Sequence, residues 1–241
     1  MKAQKYKHDF DYSYALGMTL TIELLKFKPQ YTKLVYIRPN IDKNENYNTL
    51  MEMCENHNIP VETSEKAFNI LSPKGNCFVI GVFDKFRENL DNNSHIVLVN
   101  PSDAGNMGTI IRTAVGFGLD NLAIVRPAVD IFDPKVVRAS MGAVFHVKFR
   151  YYDSYKEYRE EFSNHNLYPF MLRVSTPITK VEFKKPYSLV FGNEAAGLPD
   201  NFADLPNTNP VVIKHTHNID SLNLPTAVGI GIFSATKNDM V

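Results

Sequence analysis

Apolar residues fall into short runs and helical stripes that alternate along the whole chain, with polar and proline-rich punctuation between them. Residues 13–27 spread Leu16, Leu20, Ile22, Leu24 and Leu25 around a broad apolar face and predict a helix, which Pro29 ends. Residues 33–37 predict a strand closed by the turn Arg38-Pro39-Asn40. A helix over 48–58 turns Leu50, Met51, Met53 and Cys54 inward. A strand at 59–62, a short helix at 64–71 and a strand at 77–83 complete the series. Residues 1–84 therefore read as a small α/β unit able to stand alone. Residues 85–94 are charged, rich in asparagine and without apolar period, which marks a linker.

The second unit, 95–241, opens with an apolar run, His95 to Val99, that reads as a buried strand and turns through Asp103, Gly105 and Asn106 into a helix. Met107, Ile110, Ile111, Ala114 and Val115 form its buried stripe, and Arg112 lies off it between Gly108 and Gly116. Strands follow at 122–125, 143–149, 168–174, 187–191 and 211–213. Helices are expected over 134–140, where Asp133-Pro134 supplies cap and first turn, over 154–162, and over 221–236. This is an α/β domain with a mostly parallel sheet of about six strands. Pattern alone leaves the strand order open.

Composition narrows the class. The 241 residues carry 26 lysines and arginines against 26 aspartates and glutamates, so any nucleic-acid contact must come from a local patch rather than from net charge. Cys54 and Cys77 lack metal-like spacing and read as free thiols of a reducing compartment. The first residues are too polar for a signal peptide and no run approaches a membrane span, so a soluble, cytoplasmic protein is expected.

Ligands of open α/β domains bind beyond the carboxyl ends of strands, and three such ends are unusual here. At the helix that carries Asn106 and Arg112, Gly108 and Gly116 flank the arginine one turn to either side. Each costs about 1 kcal/mol relative to alanine, which fits either close approach of a ligand or tight helix packing. Gly192-Asn193-Glu194-Ala195-Ala196-Gly197-Leu198-Pro199 surrounds one carboxylate with glycines; Glu194 either meets a ligand or caps backbone amides. Ile213 to Asn223 closes with Ser221-Leu222-Asn223 at a helix start, where Ser221 is also a good N-cap. His215 and His217 lack further ligands nearby, so no metal is expected. The chain has no dinucleotide fingerprint, no phosphate loop and no nucleophile elbow. Tyr151, Tyr152, Tyr155 and Tyr158 beside Lys148, Arg150, Lys156 and Arg159 fit base stacking, and fit better a helix packing its tyrosines inward.

Taken together, Asn106-x5-Arg112-Thr113 with Gly116-Phe117-Gly118, then Gly192-Asn193-Glu194-x2-Gly197-Leu198, then Ser221-Leu222-Asn223, resemble the three ordered motifs of the SpoU/TrmH family in the SPOUT superfamily of RNA methyltransferases. The resemblance runs from Ile96 to about Ala235. It implies a knotted α/β domain, a homodimer, and methyl transfer from S-adenosylmethionine to a ribose 2′-hydroxyl of structured tRNA or rRNA, without a metal. Residues 1–84 look like the small RNA-binding domain that precedes the catalytic domain in many members. By position Arg112, Asn106, Glu194, Ser221 and Asn223 match the polar residues of the family's site. Gly192, Ile213 and Leu222 match positions that hold the cofactor, with Ser175 a further candidate. Arginine is a poor base, so Arg112 as orienting or oxyanion-stabilising group and Arg112 as proton acceptor both stay open. The turn Lys214-His215-Thr216-His217 departs from the family's small, glycine-containing one. A non-catalytic RNA-binding or ribosome-assembly protein, and a base-methylating SPOUT enzyme, are the alternatives.

Overall fold

A computed structural model describes residues 3–73, 75–172, 175–216 and 218–239. The chain runs β1 (Tyr12–Leu16), α1 (Met18–Phe27), β2 (Thr32–Ile37), α2 (Glu45–Asn56), β3 (Val61–Thr63), α3 (Glu65–Leu71) and β4 (Val79–Asp84). It continues through β5 (His95–Val99), α4 (Ala104–Gly116), β6 (Asn121–Val125), α5 (Pro134–Ala139), β7 (Lys148–Tyr152), α6 (Tyr155–Glu161) and β8 (Asn166–Pro169). Last come β9 (Thr176–Pro177), β10 (Tyr187–Phe191), β11 (Val211–Val212) and α7 (Leu224–Thr236).

The first compact unit is a four-stranded sheet, ordered β1-β4-β2-β3, with β1 and β2 antiparallel to β4 and β3 parallel to β2. The expected helix over 13–27 is divided: residues 12–16 are a strand and the helix begins at Met18. Gly17 sits at φ 126, where other residues are strained, and so breaks the element. Short polar side chains start the next helices, Asn44 accepting from the Tyr47 amide and Ser64 from that of Ala67. The segment Asp130–His146, which sequence pattern assigns to the second unit, groups with the first, and so do Lys85 and Phe86 from the expected linker. Phe132 and Phe145 pack edge-on against Phe83, and Phe132 against Phe86, so aromatic burial decides the grouping. Cys54 and Cys77 are buried free thiols here, and burial pushes Cys54 up to about 11.

The second unit comprises Arg87–Val129 and Val147–Val241. Its sheet is wholly parallel, with order β7-β6-β5-β10-β8. It has five strands rather than about six. In place of a sixth, residues 207–212 run alongside β8 through single bridges and pair β11 with β9. The strand expected over 143–149 is a 3-10 turn at Ala143–Phe145 followed by β7, and that expected over 168–174 ends at Pro169, with residues 173 and 174 outside the described ones. Val97, Ala123, Val190 and the rings of Tyr152, Tyr158 and Phe162 form the core on one face. The tyrosine run is thus mainly structural, with Tyr152 and Tyr158 fully buried. On the other face α4 carries Met107, Ile110, Ile111 and Ala114 inward, as its periodicity predicts. The C-terminal helix α7 packs beside α4. It starts at Leu224 with Asn223 as N-cap, not at Ser221, and Pro225 sits in its first turn where a missing N–H costs nothing.

Candidate active site

The carboxyl ends of β5 and β10 lie side by side, because these strands pair in register from His95–Ser188 to Leu98–Phe191. Each continues into one of the unusual segments. After β5, Asn100 adopts φ 56 and Asp103 caps α4 by accepting from the Asn106 amide at 2.7 Å. After β10, the glycine loop closes on itself. The Gly197 amide donates to the Asn193 carbonyl at 2.9 Å, and the Asn193 side-chain oxygen accepts from the amides of Ala195 and Ala196 at 2.9 and 3.2 Å. A methyl group on Gly192 would stand 2.1 Å from the Gly197 carbonyl carbon, so only glycine permits this closure.

Glu194 ties the loop to α4. Its Oε2 accepts from the Ser102 amide at 3.2 Å and hydroxyl at 2.9 Å, and its Oε1 from the Asp103 amide at 3.2 Å and Asn106 Nδ2 at 3.3 Å. Partial burial by itself raises the carboxyl pKa. The hydrogen bonds from its own amide, Ser102, Asn106 and Asp103 outweigh this and hold it below the ordinary value. A carboxylate at a helix N-terminus gains further from the helix dipole. Of the two readings open for Glu194, the capping one describes its contacts. Asn193 adds a second tie, its Nδ2 donating to the Asn100 carbonyl at 2.8 Å. Asn100 and Ser102 have no place in the sequence motifs; the one available signal was their Asx and Ser character next to the end of β5.

The loop walls a cavity of about 460 Å³ that is also lined by Phe170, Met171, Phe191, Ile213, His215, Asp220, Ser221 and Leu222. Gly192, Glu194, Ile213, Ser221 and Leu222, far apart in sequence, therefore meet around one space, and Asn106 is joined to it through Glu194. Ser175, half-buried, is not among its described lining residues, nor are Asn223 and Arg112. Arg112 is exposed on α4, about 9 Å along the axis from Asn106. It neighbours Thr113, whose methyl lies 3.8 Å from where a Cβ of Gly229 on α7 would be. Gly116, one turn on, faces open space, so close packing within the chain does not explain that glycine. His215 turns its Nδ1 to the Ile213 carbonyl at 3.0 Å, while His217 lies outside the described residues. Among the described residues no group of histidines, cysteines and carboxylates could hold a metal, and no helix is long and apolar enough to cross a membrane.

The sequence model of the SpoU rRNA methylase family matches residues 93–233, the stretch that builds this sheet and cavity. The chain belongs to that family. A protein of Listeria monocytogenes provisionally named tRNA (cytidine(34)-2'-O)-methyltransferase is 34% identical over 148 residues, covering 60% of this chain and 87% of its own. An uncharacterized tRNA/rRNA methyltransferase of Synechocystis is 29% identical over 144 residues, 59% of this chain, and the match spans about half (52%) of that protein. An AdoMet-bound rRNA methyltransferase from Sinorhizobium meliloti superposes with a TM-score of 0.79 at 24% identity, over 96% of this chain and 88% of its own, a likeness of fold that includes both units. The α/β architecture with a parallel sheet is thus the architecture of SpoU methyltransferases.

Proposed function

We propose that this SpoU-family chain transfers a methyl group from S-adenosylmethionine to a ribose 2′-hydroxyl of tRNA or rRNA, and does so as a homodimer. The observation that carries the reading is the cavity where the glycine loop, Ile213 and Ser221-Leu222 converge, fastened by Glu194 to the helix that carries Asn106 and Arg112. The residues suit the cofactor. Backbone groups of the tight Gly192–Leu198 turn and of Ile213 offer donors and acceptors for an adenosine, and Phe170, Phe191 and Leu222 offer apolar surface.

When bound, S-adenosylmethionine supplies an electrophilic methyl on a sulfonium. The protein's part is then alignment of the attacking oxygen, which can account for several kcal/mol of the barrier. Arg112, exposed and with no hydrogen bond or ion pair among the described residues, is a fixed cation suited to holding the ribose–phosphate and the oxygen as charge develops on it. In our reading it orients rather than accepts the proton. Glu194 and Asn106 keep the cofactor loop and the arginine helix in register, as positioning residues. Ser221, in the cavity lining, and Asn223, the N-cap of α7, would meet substrate; Ser175 is not among the described lining residues.

The dimer reading is supported by what lies outside the cavity. Arg112 is exposed on α4, and at the contact of α4 with α7 Phe233, 54% exposed, meets Phe117 edge-on as an apolar patch. A second copy seated on this α4–α7 face would cover the patch and bring a guanidinium to its partner's cavity.

Titration calorimetry with S-adenosylmethionine, followed by methylation of bulk tRNA and rRNA and nuclease digestion, tests the reading. We expect binding and a ribose-methylated nucleotide. No binding would leave a non-catalytic RNA binder, and a methylated base would leave a sister chemistry. Arg112→Ala should keep the cofactor bound while methyl transfer falls at least a hundredfold; unchanged turnover would remove Arg112 from the mechanism.

A further inference from the structure

A net charge of zero leaves any RNA contact to a local patch, and the second unit holds one away from the cavity. Beside the edge strand β7, a recess of about 560 Å³ gathers Arg87, Arg126 and Arg150 with Tyr151, against one carboxylate, Glu88. We infer that this recess is a groove for the phosphodiester backbone of the substrate RNA, an inference that rests on the RNA reading above.

Arg87 is exposed and has no hydrogen bond or ion pair among the described residues. Arg126 lies with its guanidinium carbon 4.7 Å from the centroid of the Tyr151 ring, which fixes the plane of the fork while leaving its edges free. One of its nitrogens meets Asp153 at 3.1 Å, but the pair is 53% and 85% exposed. Such a pair contributes at most about 1 kcal/mol, so a phosphate can displace or share it. Arg150 spends one donor on Glu161 at 2.8 Å and lies over the Tyr152 ring. Each guanidinium has five donors, so most remain available to phosphate oxygens.

Position supports the assignment. Arg126 directly follows β6, and β6, β5 and β10 are adjacent, so Arg126 stands two inter-strand spacings, roughly 10 Å, from the end of β10. One residue links the two places: Asn100 donates from Nδ2 to the Arg126 carbonyl at 2.6 Å and accepts on its own carbonyl from Asn193 of the cofactor loop. RNA backbone held in the recess is thereby led toward the cavity.

The test is binding of the full chain to unfractionated bacterial tRNA, and to a 20-nucleotide single-stranded RNA, across a salt series. For Arg87→Glu with Arg126→Glu we expect affinity to fall at least thirtyfold at 0.1 M salt. The slope of log K against log salt should flatten by about 1.5 to 2, the loss of two phosphate contacts. Calorimetric affinity for S-adenosylmethionine should not change, which also reports a folded chain. Should the double variant fail to fold, exposed Arg87→Ala is expected to weaken binding three- to tenfold. Wild-type affinity and slope in the variants would overturn the groove and leave the RNA reading intact; a wild-type chain that binds neither RNA would overturn both. Displacement of RNA by polyglutamate at matched charge would assign the recess to an acidic protein instead, and overturn it.

Discussion

Gly192 has no room for a methyl group, because the backbone of Gly197 and Leu198 occupies the space where one would stand. Unlike a crowded side chain, that backbone has no alternative rotamer, so the loop itself must open. Gly192→Ala is expected to weaken S-adenosylmethionine binding more than tenfold in calorimetry, with a lower melting temperature. Binding at wild-type strength would show that the loop does not grip the cofactor. Glu194 acts through four donors on the other side of the site. Its folded pKa is depressed, so its contribution is full above the unfolded carboxyl value and is lost only as pH falls through the lower folded one. Glu194→Ala leaves those donors without their acceptor, and we expect about a tenfold loss of cofactor affinity at pH 7. In the wild type, affinity should not fall off through the ordinary glutamate range, just above pH 4, on account of this residue.

At the scale of elements, a buried polar chain runs across β5, α6 and β10 at the end of the sheet away from the cavity. His95 Nε2 donates to the Asp91 carbonyl at 2.8 Å, which leaves its Nδ1 to accept from the Tyr158 hydroxyl at 2.9 Å. Ser188 then donates to Tyr158 at 2.6 Å and accepts from His165 Nδ1 at 3.0 Å. The direction of every proton is fixed, and His165 Nε2 is left as a buried lone pair without a partner in the described structure. Burial holds both histidines neutral, depressing each to about 4. The unfolded chain therefore takes up protons below about pH 6.5 that the folded one refuses, and stability falls from there toward pH 4. At pH 5 the cost is about 2 kcal/mol per histidine. Urea midpoints at pH 7 and pH 5 measure it, and His165→Asn should remove roughly half of the difference. On the opposite face, a Cβ on Gly231 of α7 would come within 2.8 Å of Phe170 and 2.9 Å of Phe191, two rings stacked 4.3 Å apart in the cavity wall. Gly231→Ala should cost about 1–3 kcal/mol, the usual penalty of overpacking, and should also weaken the cofactor.

For the whole molecule, neutrality and the exposed α4–α7 patch matter most. A chain with balanced charge should bind RNA with a shallower overall salt dependence than a basic protein, since only phosphates met by local arginines release counterions. If a second copy covers Phe233, the protein sediments as a dimer. Phe233→Lys should then give monomers in which methyl transfer is lost while cofactor binding falls little. Monomeric wild-type protein with full activity would exclude the dimer reading.

What the sequence determined by itself is local: the apolar stripe of α4, the capping role of Asp133, the buried run of β10, and three motif segments in order. Those features are set by side-chain period and backbone preference within a few residues, and such signals are visible in one chain. Tertiary structure decided the rest. It split a helical-looking stretch at Gly17 because the Tyr12–Leu16 run pairs with β4, and it drew Phe132 and Phe145 to Phe83 across about fifty and sixty residues. It also turned Glu194 onto amides more than ninety residues upstream. No periodicity encodes which distant partner a strand edge, a ring or a carboxylate will find. That choice is made by burial and hydrogen-bond satisfaction over the whole fold.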